Sequence, residues 1–375
     1  MREGTGRLAG GVFRSGRSAS GRGGSPRRGA SRTTTVAVVG AGPLAAGIAT
    51  WISRHGLDPG APAEVRTLEQ VPAQDPQEAL TGADVVVLVA DAGDLAISWS
   101  DTAEHRRAEA VAHTQRCLAA SAAAGVRHVV VVTSAMVHGA GQDRAPIADD
   151  DDLAPGGQAE TDGIVGDLLA VESVVARTAG RRRPMITVLR PAAVVGPRID
   201  TLITRHFEAP RLLTVRGSAR EWQFVHVDDV ASAVASCVVH GLAGAVTVGA
   251  SSALTSAQVA LAAGMERIDL PPVTAFGTAE RLHRVGVLPA PASELAYAVY
   301  SWTVASTRLS EVGWQAERSN EECLQVLLET VRGRHALAGR RVGARDATAL
   351  GAAGAAVALI GTAAVWRQAR SRRHR

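Results

Sequence analysis

The chain has 375 residues, 46% of them apolar, enough for one large core or two smaller ones. Its forty basic side chains besides histidine are all arginine, and they are unevenly placed: residues 1–33 carry eight against Glu3 and residues 332–375 ten against Asp346, so a net +4 leaves residues 34–331 near −12. An acidic middle repels phosphate and counts against nucleic-acid binding, while Cys117, Cys237 and Cys323, with no C-x-x-C spacing, argue against a disulfide framework or a zinc site and for the reducing, cytoplasmic side.

Residues 1–33 are glycine, serine and arginine with no apolar run, so they are expected to be disordered and lack the apolar region of a signal peptide. They read either as a basic arm for acidic lipid or as sequence ahead of the native start. From residue 34 short apolar runs alternate with alanine-rich helical stretches, the pattern of an α/β, doubly wound parallel Rossmann sheet. Strands are predicted at residues 36–39, 64–69, 83–90, 129–133 and 186–189, and a helix at 103–124 that stops at Gly125. The Rossmann domain spans 34–200. Residues 201–331, with shorter elements and denser turn signals, complete it and add a smaller C-terminal substrate lobe over a cleft. A basic linker (332–346) leads to residues 347–366, twenty without a charge, which make a C-terminal apolar helix and candidate transmembrane segment of about 30 Å. A helix lying on a membrane surface is the alternative. Five arginines on either side tie the positive-inside rule, and a cytoplasmic cofactor places the N-terminal bulk inside.

The run Val36-Ala-Val-Val-Gly40-Ala-Gly42-Pro-Leu44-Ala45 leads a strand into G-x-G-x-x-A at the start of a helix. Gly40 permits the tight turn, Gly42 lets backbone approach a pyrophosphate, and Ala45 allows close helix packing, with phosphates at the helix N-terminus. Glu69, at the end of the next strand, is placed to bind a ribose hydroxyl of NAD; Arg66 points weakly to NADP. NAD is the favoured dinucleotide.

Further pieces follow in order: Gly82-Ala-Asp84-Val-Val-Val, Gly125-Val, Val132-Thr-Ser134-Ala-Met-Val-His138-Gly139, Leu189-Arg190-Pro191 with Val195-Gly196-Pro197, and Val225-His226-Val-Asp228-Asp229-Val. Together with Gly40 to Ala45 they resemble the extended short-chain dehydrogenases, the NAD-dependent epimerase/dehydratase family, over residues 34–330. The resemblance implies a small-molecule substrate such as a nucleotide sugar, a steroid or another carbonyl or hydroxyl compound. It also implies cofactor contacts at Leu44, Ala90 and Arg190, and pairing of two copies through the helices bearing Ala110 and Ile164.

Ser134 matches the family's catalytic serine. The family's tyrosine and lysine, whose cation stabilises the phenolate, fall on Ile164 and Leu168, and its asparagine on Ala110. The chain has no lysine at all, and its tyrosines are Tyr297 and Tyr300. The third strand, with its adenine-contacting aspartate, is deleted between Glu69 and Asp75. His138 stands where the family often has a tyrosine and is the substitute acid/base nearest the cleft floor. Asp162 and Asp167 flank the vacated site, and His226 and Asp228 belong to a structural pattern. The acids at 149–152 read as a solvated loop, and no metal is expected. Two readings follow: a cofactor-binding sensor or scaffold, which the missing pair favours, and an active oxidoreductase or epimerase using Ser134 with a non-standard acid/base.

Overall fold

The computed structural model describes residues 33–58, 61–98, 102–154, 163–178, 184–285, 288, 290–332, 334, 336–337 and 340–341. In chain order, β1 (Thr34–Val39), α1 (Gly42–His55), β2 (Ala63–Leu68), α2 (Pro76–Leu80), β3 (Val85–Val89), α3 (Leu95–Ser98), α4 (Ala103–Ala123), β4 (His128–Val132), α5 (Ile164–Thr178) and β5 (Met185–Pro191) make the first part. There follow β6 (Ala193–Val195), α6 (Leu202–His206), β7 (Arg211–Val215), β8 (Glu221–Trp222), β9 (Phe224–His226), α7 (Val227–His240) and β10 (Gly244–Val248).

Six strands form one wholly parallel sheet in the order β10-β5-β4-β3-β1-β2. The valine runs make this sheet because it is covered on both faces, where β-branched side chains pack without a polar alternation. Val36, Val38, Val85, Val87, Val130 and Val132 enter one core layer with α1 and α7. Their neighbours Ala37, Val39, Val86, Leu88, Val129 and Val131 enter the other, with α4 and α5. The predicted strands and the α4 stop are all present, with Gly125 at φ +74° just beyond the helix. β2 is the sheet's edge and the chain passes from Glu69 directly toward α2, so no strand stands between them, as the deletion implied.

Asp84 fixes the start of the sheet: its Oδ2 accepts the Thr35 N–H at 3.0 Å, linking β1 to β3. His226 caps α7 through Nδ1, which accepts the Asp228 N–H at 3.2 Å, in keeping with a structural role. The smaller lobe gathers the parallel pair of β7 with Glu266–Leu270 around a core of Val215, Ala275, Ala298 and Val299.

One expectation is corrected. Asp149 is not solvated: it is 5% exposed, and its carboxylate accepts the Thr247 N–H (2.5 Å), the Thr247 hydroxyl (2.9 Å) and the Arg308 N–H (3.0 Å), tying its loop to β10. The three cysteines are free and buried, and burial pushes each thiol up to about 12. Residues 1–32, Asp162 and the apolar stretch 347–366 lie outside the described residues. Among the described residues no helix is long and apolar enough to cross a membrane.

Candidate functional site

A cleft runs between the C-terminal ends of the central strands and the smaller lobe. Leu44, Asp91, Ser134, Ile164, Glu294 and Trp302 are among the residues that line it, so Leu44 in the first turn of α1, the serine and the vacated tyrosine position share one space.

At the loop, Gly40 has φ +151° and a side chain there would meet the Val89 carbonyl oxygen at 2.8 Å; Gly42, at φ +89°, lies directly against the Ala92 carbonyl. The glycines are thus required by the close approach of Val89 and Ala92, before any ligand is considered. The N-cap Ala41 offers no side-chain acceptor, and the first turn of α1 carries no acid. The positive end of the helix therefore meets the cleft at Leu44 without an anion of its own, and this fits a dinucleotide's phosphates. Pro43 carries no N–H, and the Leu44 N–H is bonded to Ala92 O at 3.3 Å, so the turn presents fewer donors than its glycine pattern suggests. Glu69 is exposed just after β2, whose Leu68 carbonyl accepts the Gly40 N–H at 2.8 Å. Arg66 instead donates to Thr81 O at 3.0 Å, at the end of α2. Ala90 N donates to Val132 O at 2.9 Å, holding the β3 end beside β4.

Beneath the cleft lies a buried polar network. Thr133 Oγ1 donates to Glu172 Oε1 (2.7 Å), and Arg190 grips both carboxylate oxygens, Nε to Oε1 at 3.2 Å and Nη2 to Oε2 at 2.7 Å. Arg190 Nη1 then donates to His138 Nε2 at 3.1 Å, while His138 Nδ1 faces the Asp152 carbonyl at 3.0 Å. A carbonyl can only accept, so Nδ1 carries the proton and Nε2 gives its lone pair to Arg190. Burial first, then the Arg190 cation, hold His138 below the usual histidine range. His138 is 2% exposed with both nitrogens bonded, which removes it from the expected acid/base role. Arg190 is likewise turned into this network, 7% exposed, and supports the floor under Ser134.

Ser134 opens the short turn Ala135–His138, its Oγ accepting the Met136 N–H at 3.3 Å, and it lines the cleft. Ile164, the first residue of α5, lines the cleft beside it, and Leu168 one turn on is 2% exposed. Asp167 is held by Arg106 at 3.0 Å and Arg107 at 3.4 Å on α4, and so is engaged outside the cleft. Ala110 packs on the core layer of α4. Among the described residues no cluster of His, Cys, Asp or Glu is arranged to hold a metal.

Four acids line the cleft, Asp91, Asp94, Asp200 and Glu294, and none was singled out from the sequence; burial raises the pKa of two of them. Asp91 accepts the Gly93 N–H at 2.9 Å, and burial pushes its pKa up. Glu294, in the turn Ala292–Leu295, is 2% exposed, and burial pushes it to about 7. Neither lies in a motif, and Glu294 meets α5 from 129 residues away, so local sequence carries no signal for it.

Parallel strand order, a glycine loop at the first strand–helix turn and a cleft at the strand ends define a dinucleotide-type α/β fold. The sequence profile of the NAD dependent epimerase/dehydratase family matches residues 49–249, just over half of the chain, and the chain belongs to that family. An uncharacterized protein of Mycobacterium tuberculosis is 30% identical over 206 residues; the match covers 53% of this chain, and the chain spans about half the length of the curated relatives it matches. Among solved structures, MoeE5 in complex with UDP-glucuronic acid and NAD is similar at 19% identity and TM-score 0.57, covering 80% of this chain and 99% of that one. The UDP-glucose 4-epimerase of Thermus thermophilus in complex with NAD is similar at 18% and 0.56, covering 80% and 99%. The UDP-N-acetylglucosamine 4-epimerase of Bacillus cereus is similar at 17% and 0.53, covering 80% and 100%. At such identities the likeness is one of fold.

Proposed function

We propose that this protein binds a nicotinamide dinucleotide, NAD in preference to NADP, and acts on a hydroxyl or carbonyl group of a small molecule of the nucleotide-sugar class. The observation that carries this reading is the shared cleft: Leu44 in the first turn of α1, Ser134 and Glu294 line one space. Gly42 and the uncapped start of α1 would hold the phosphates, and Glu69 the ribose. The bound dinucleotide would supply two-electron oxidation or reduction. Ser134 would orient a ligand oxygen, with Thr133, Glu172 and Arg190 keeping its strand end rigid. The structurally similar MoeE5 is seen in complex with NAD and either UDP-glucuronic acid or UDP-glucose, which supports the ligand class.

A second reading, a cofactor-binding sensor or scaffold, is favoured by Ile164 and Leu168 standing where the resemblance expects tyrosine and lysine. Calorimetric titration of the full chain with NAD(H) and NADP(H), with nicotinamide absorbance followed after adding nucleotide sugars, separates the two. Binding with turnover that Ser134→Ala reduces supports the enzyme; binding without turnover across such sugars favours the sensor. No binding of either dinucleotide overturns both.

A further inference from the structure

Glu294 differs from the other acids of the cleft in what its two oxygens do. Oε1 accepts the Val165 N–H at 3.3 Å, and the Ile164 N–H also points at the carboxylate, so one edge caps the start of α5. Oε2 is buried without a hydrogen-bond partner. Such an oxygen is costly to leave unmade in a folded protein, and a ligand group is one way to satisfy it.

The pocket that receives this carboxyl is built. A Cβ at Gly163 would land on Oε1, and the Pro291 ring lies 3.0 Å from that same position, so glycine at 163 is what leaves room for the carboxylate. The side chain arrives from the smaller lobe, and the cleft it reaches is also lined by Ser134 and the aliphatic Ile164. Asp91, Asp94 and Asp200 line the same space; Asp200 is paired with Arg205 at 2.9 Å. The charge of Asp167 on α5 raises the Glu294 pKa and that of Arg106 on α4 lowers it, both less than burial does.

We propose that Glu294 is the proton-exchanging group of this cleft, its unpartnered Oε2 taking and returning the proton of a ligand hydroxyl that Ser134 orients. This rests on the reading that the cleft holds a nicotinamide dinucleotide and a hydroxyl compound. In the oxidising direction the ligand O–H bond breaks, its electron pair stays on the ligand oxygen and forms the C=O bond, and the proton passes to Oε2. The two electrons of the carbinol C–H bond leave with its hydrogen to the oxidised dinucleotide. The reverse direction returns that proton to the oxygen. A carboxyl titrating near neutrality is present in both forms at physiological pH, as acid/base exchange requires.

The test uses the full chain and Glu294→Gln, which keeps the shape and an oxygen acceptor for the start of α5. Infrared titration of the protein from pH 5 to 9 should show a protonated carboxyl band that disappears with a midpoint near 7 and is missing in the variant. Labelling with dicyclohexylcarbodiimide, which attacks protonated carboxyls in apolar clefts, should modify Glu294, fall with the same midpoint, and drop at least about fivefold with NADH and UDP-glucose present, as expected when ligand fills the cleft. A structural cap would be shielded in the same way but would keep its infrared midpoint unmoved when NADH and UDP-glucose bind, whereas a carboxyl that exchanges a proton with the ligand hydroxyl shifts it. A band absent from pH 6 to 8, a band retained in Glu294→Gln, or a midpoint or labelling that ignores the ligands while calorimetry shows NADH bound overturns the proposal and leaves the cofactor reading standing. Absence of NADH binding overturns the cofactor reading, and the proposal with it.

Discussion

Arg190→Met removes the cation that holds the floor of the cleft together. Arg190 and Glu172 are 7% and 4% exposed, and the pair is bidentate. Without the arginine, Glu172 keeps the Thr133 hydroxyl as a donor but no cation, and His138 Nε2 loses the donor that Arg190 supplied. Breaking a buried ion pair from one side costs about 3–5 kcal/mol, because an uncompensated charge remains. With a urea slope of about 3 kcal/mol/M, the unfolding midpoint should fall by at least about 1 M. Arg190→Met with Glu172→Leu removes both charges, and the double variant should recover most of the loss, since apolar replacement of a whole buried pair is often near neutral. Urea unfolding of the wild type, the single variant and the double variant measures both quantities. A single-variant loss below about 1 kcal/mol, the scale of an exposed pair, would refute the account, as would a double variant no more stable than the single one.

Further outcomes follow from the same structure. Burial holds His113, His128, His138, His206 and His226 below the usual range, His128 at about 4 and His206 at about 3. The unfolded chain therefore takes up protons first as pH falls below about 6.5, and thermal scans of Glu294→Gln, which removes an opposing carboxyl, should show stability declining from about pH 7.5 to 5; a flat profile in that variant would contradict their burial. Glu294 acts with the opposite sign. Its raised pKa gives stability that is full below 4.5 and lost as pH rises through about 7, so Glu294→Gln should gain about 3 kcal/mol at pH 8 relative to pH 5 in urea unfolding. Gly42→Ala forces a side chain into φ +89° against the Ala92 carbonyl, costing about 1–2 kcal/mol from the backbone alone. Calorimetry should also show weaker NADH binding, and wild-type values for both would argue against the loop geometry. Asp149→Ala deletes three accepted hydrogen bonds and should cost about 2–4 kcal/mol, with Asp149→Asn losing less; a solvated loop residue would cost nearly nothing.

The fold was legible because its signals are local. Val85–Val89 and His128–Val132 are continuous apolar runs, which a sheet covered on both faces requires, and Gly125 ends a long alanine-rich helix in the left-handed conformation that glycine tolerates. The shortened passage from Glu69 to α2 was equally plain. The site was legible only in part. Ser134 and Ile164 could be placed by their offsets along the chain, and they do meet in one cleft. His138 misled because its partners, Arg190 on β5 and the Asp152 carbonyl, are long-range contacts that decide which way each nitrogen faces. Asp149 misled for the same reason, since its partners Thr247 and Arg308 come from β10 and beyond. Glu294 gave no signal: Ala292-Ser-Glu-Leu is ordinary turn sequence, and its meaning comes from Gly163 and the start of α5.

The central claim is that one cleft joins the start of α1 to Ser134 and Glu294 around a dinucleotide. A crystal structure of the full chain grown with NADH tests it most directly. The account predicts the pyrophosphate at the first turn of α1 beside Gly42, with the nicotinamide end between Ser134, Ile164 and Glu294. A dinucleotide bound elsewhere, or a first turn still closed by Ala92 with no ligand at saturating NADH, would contradict it.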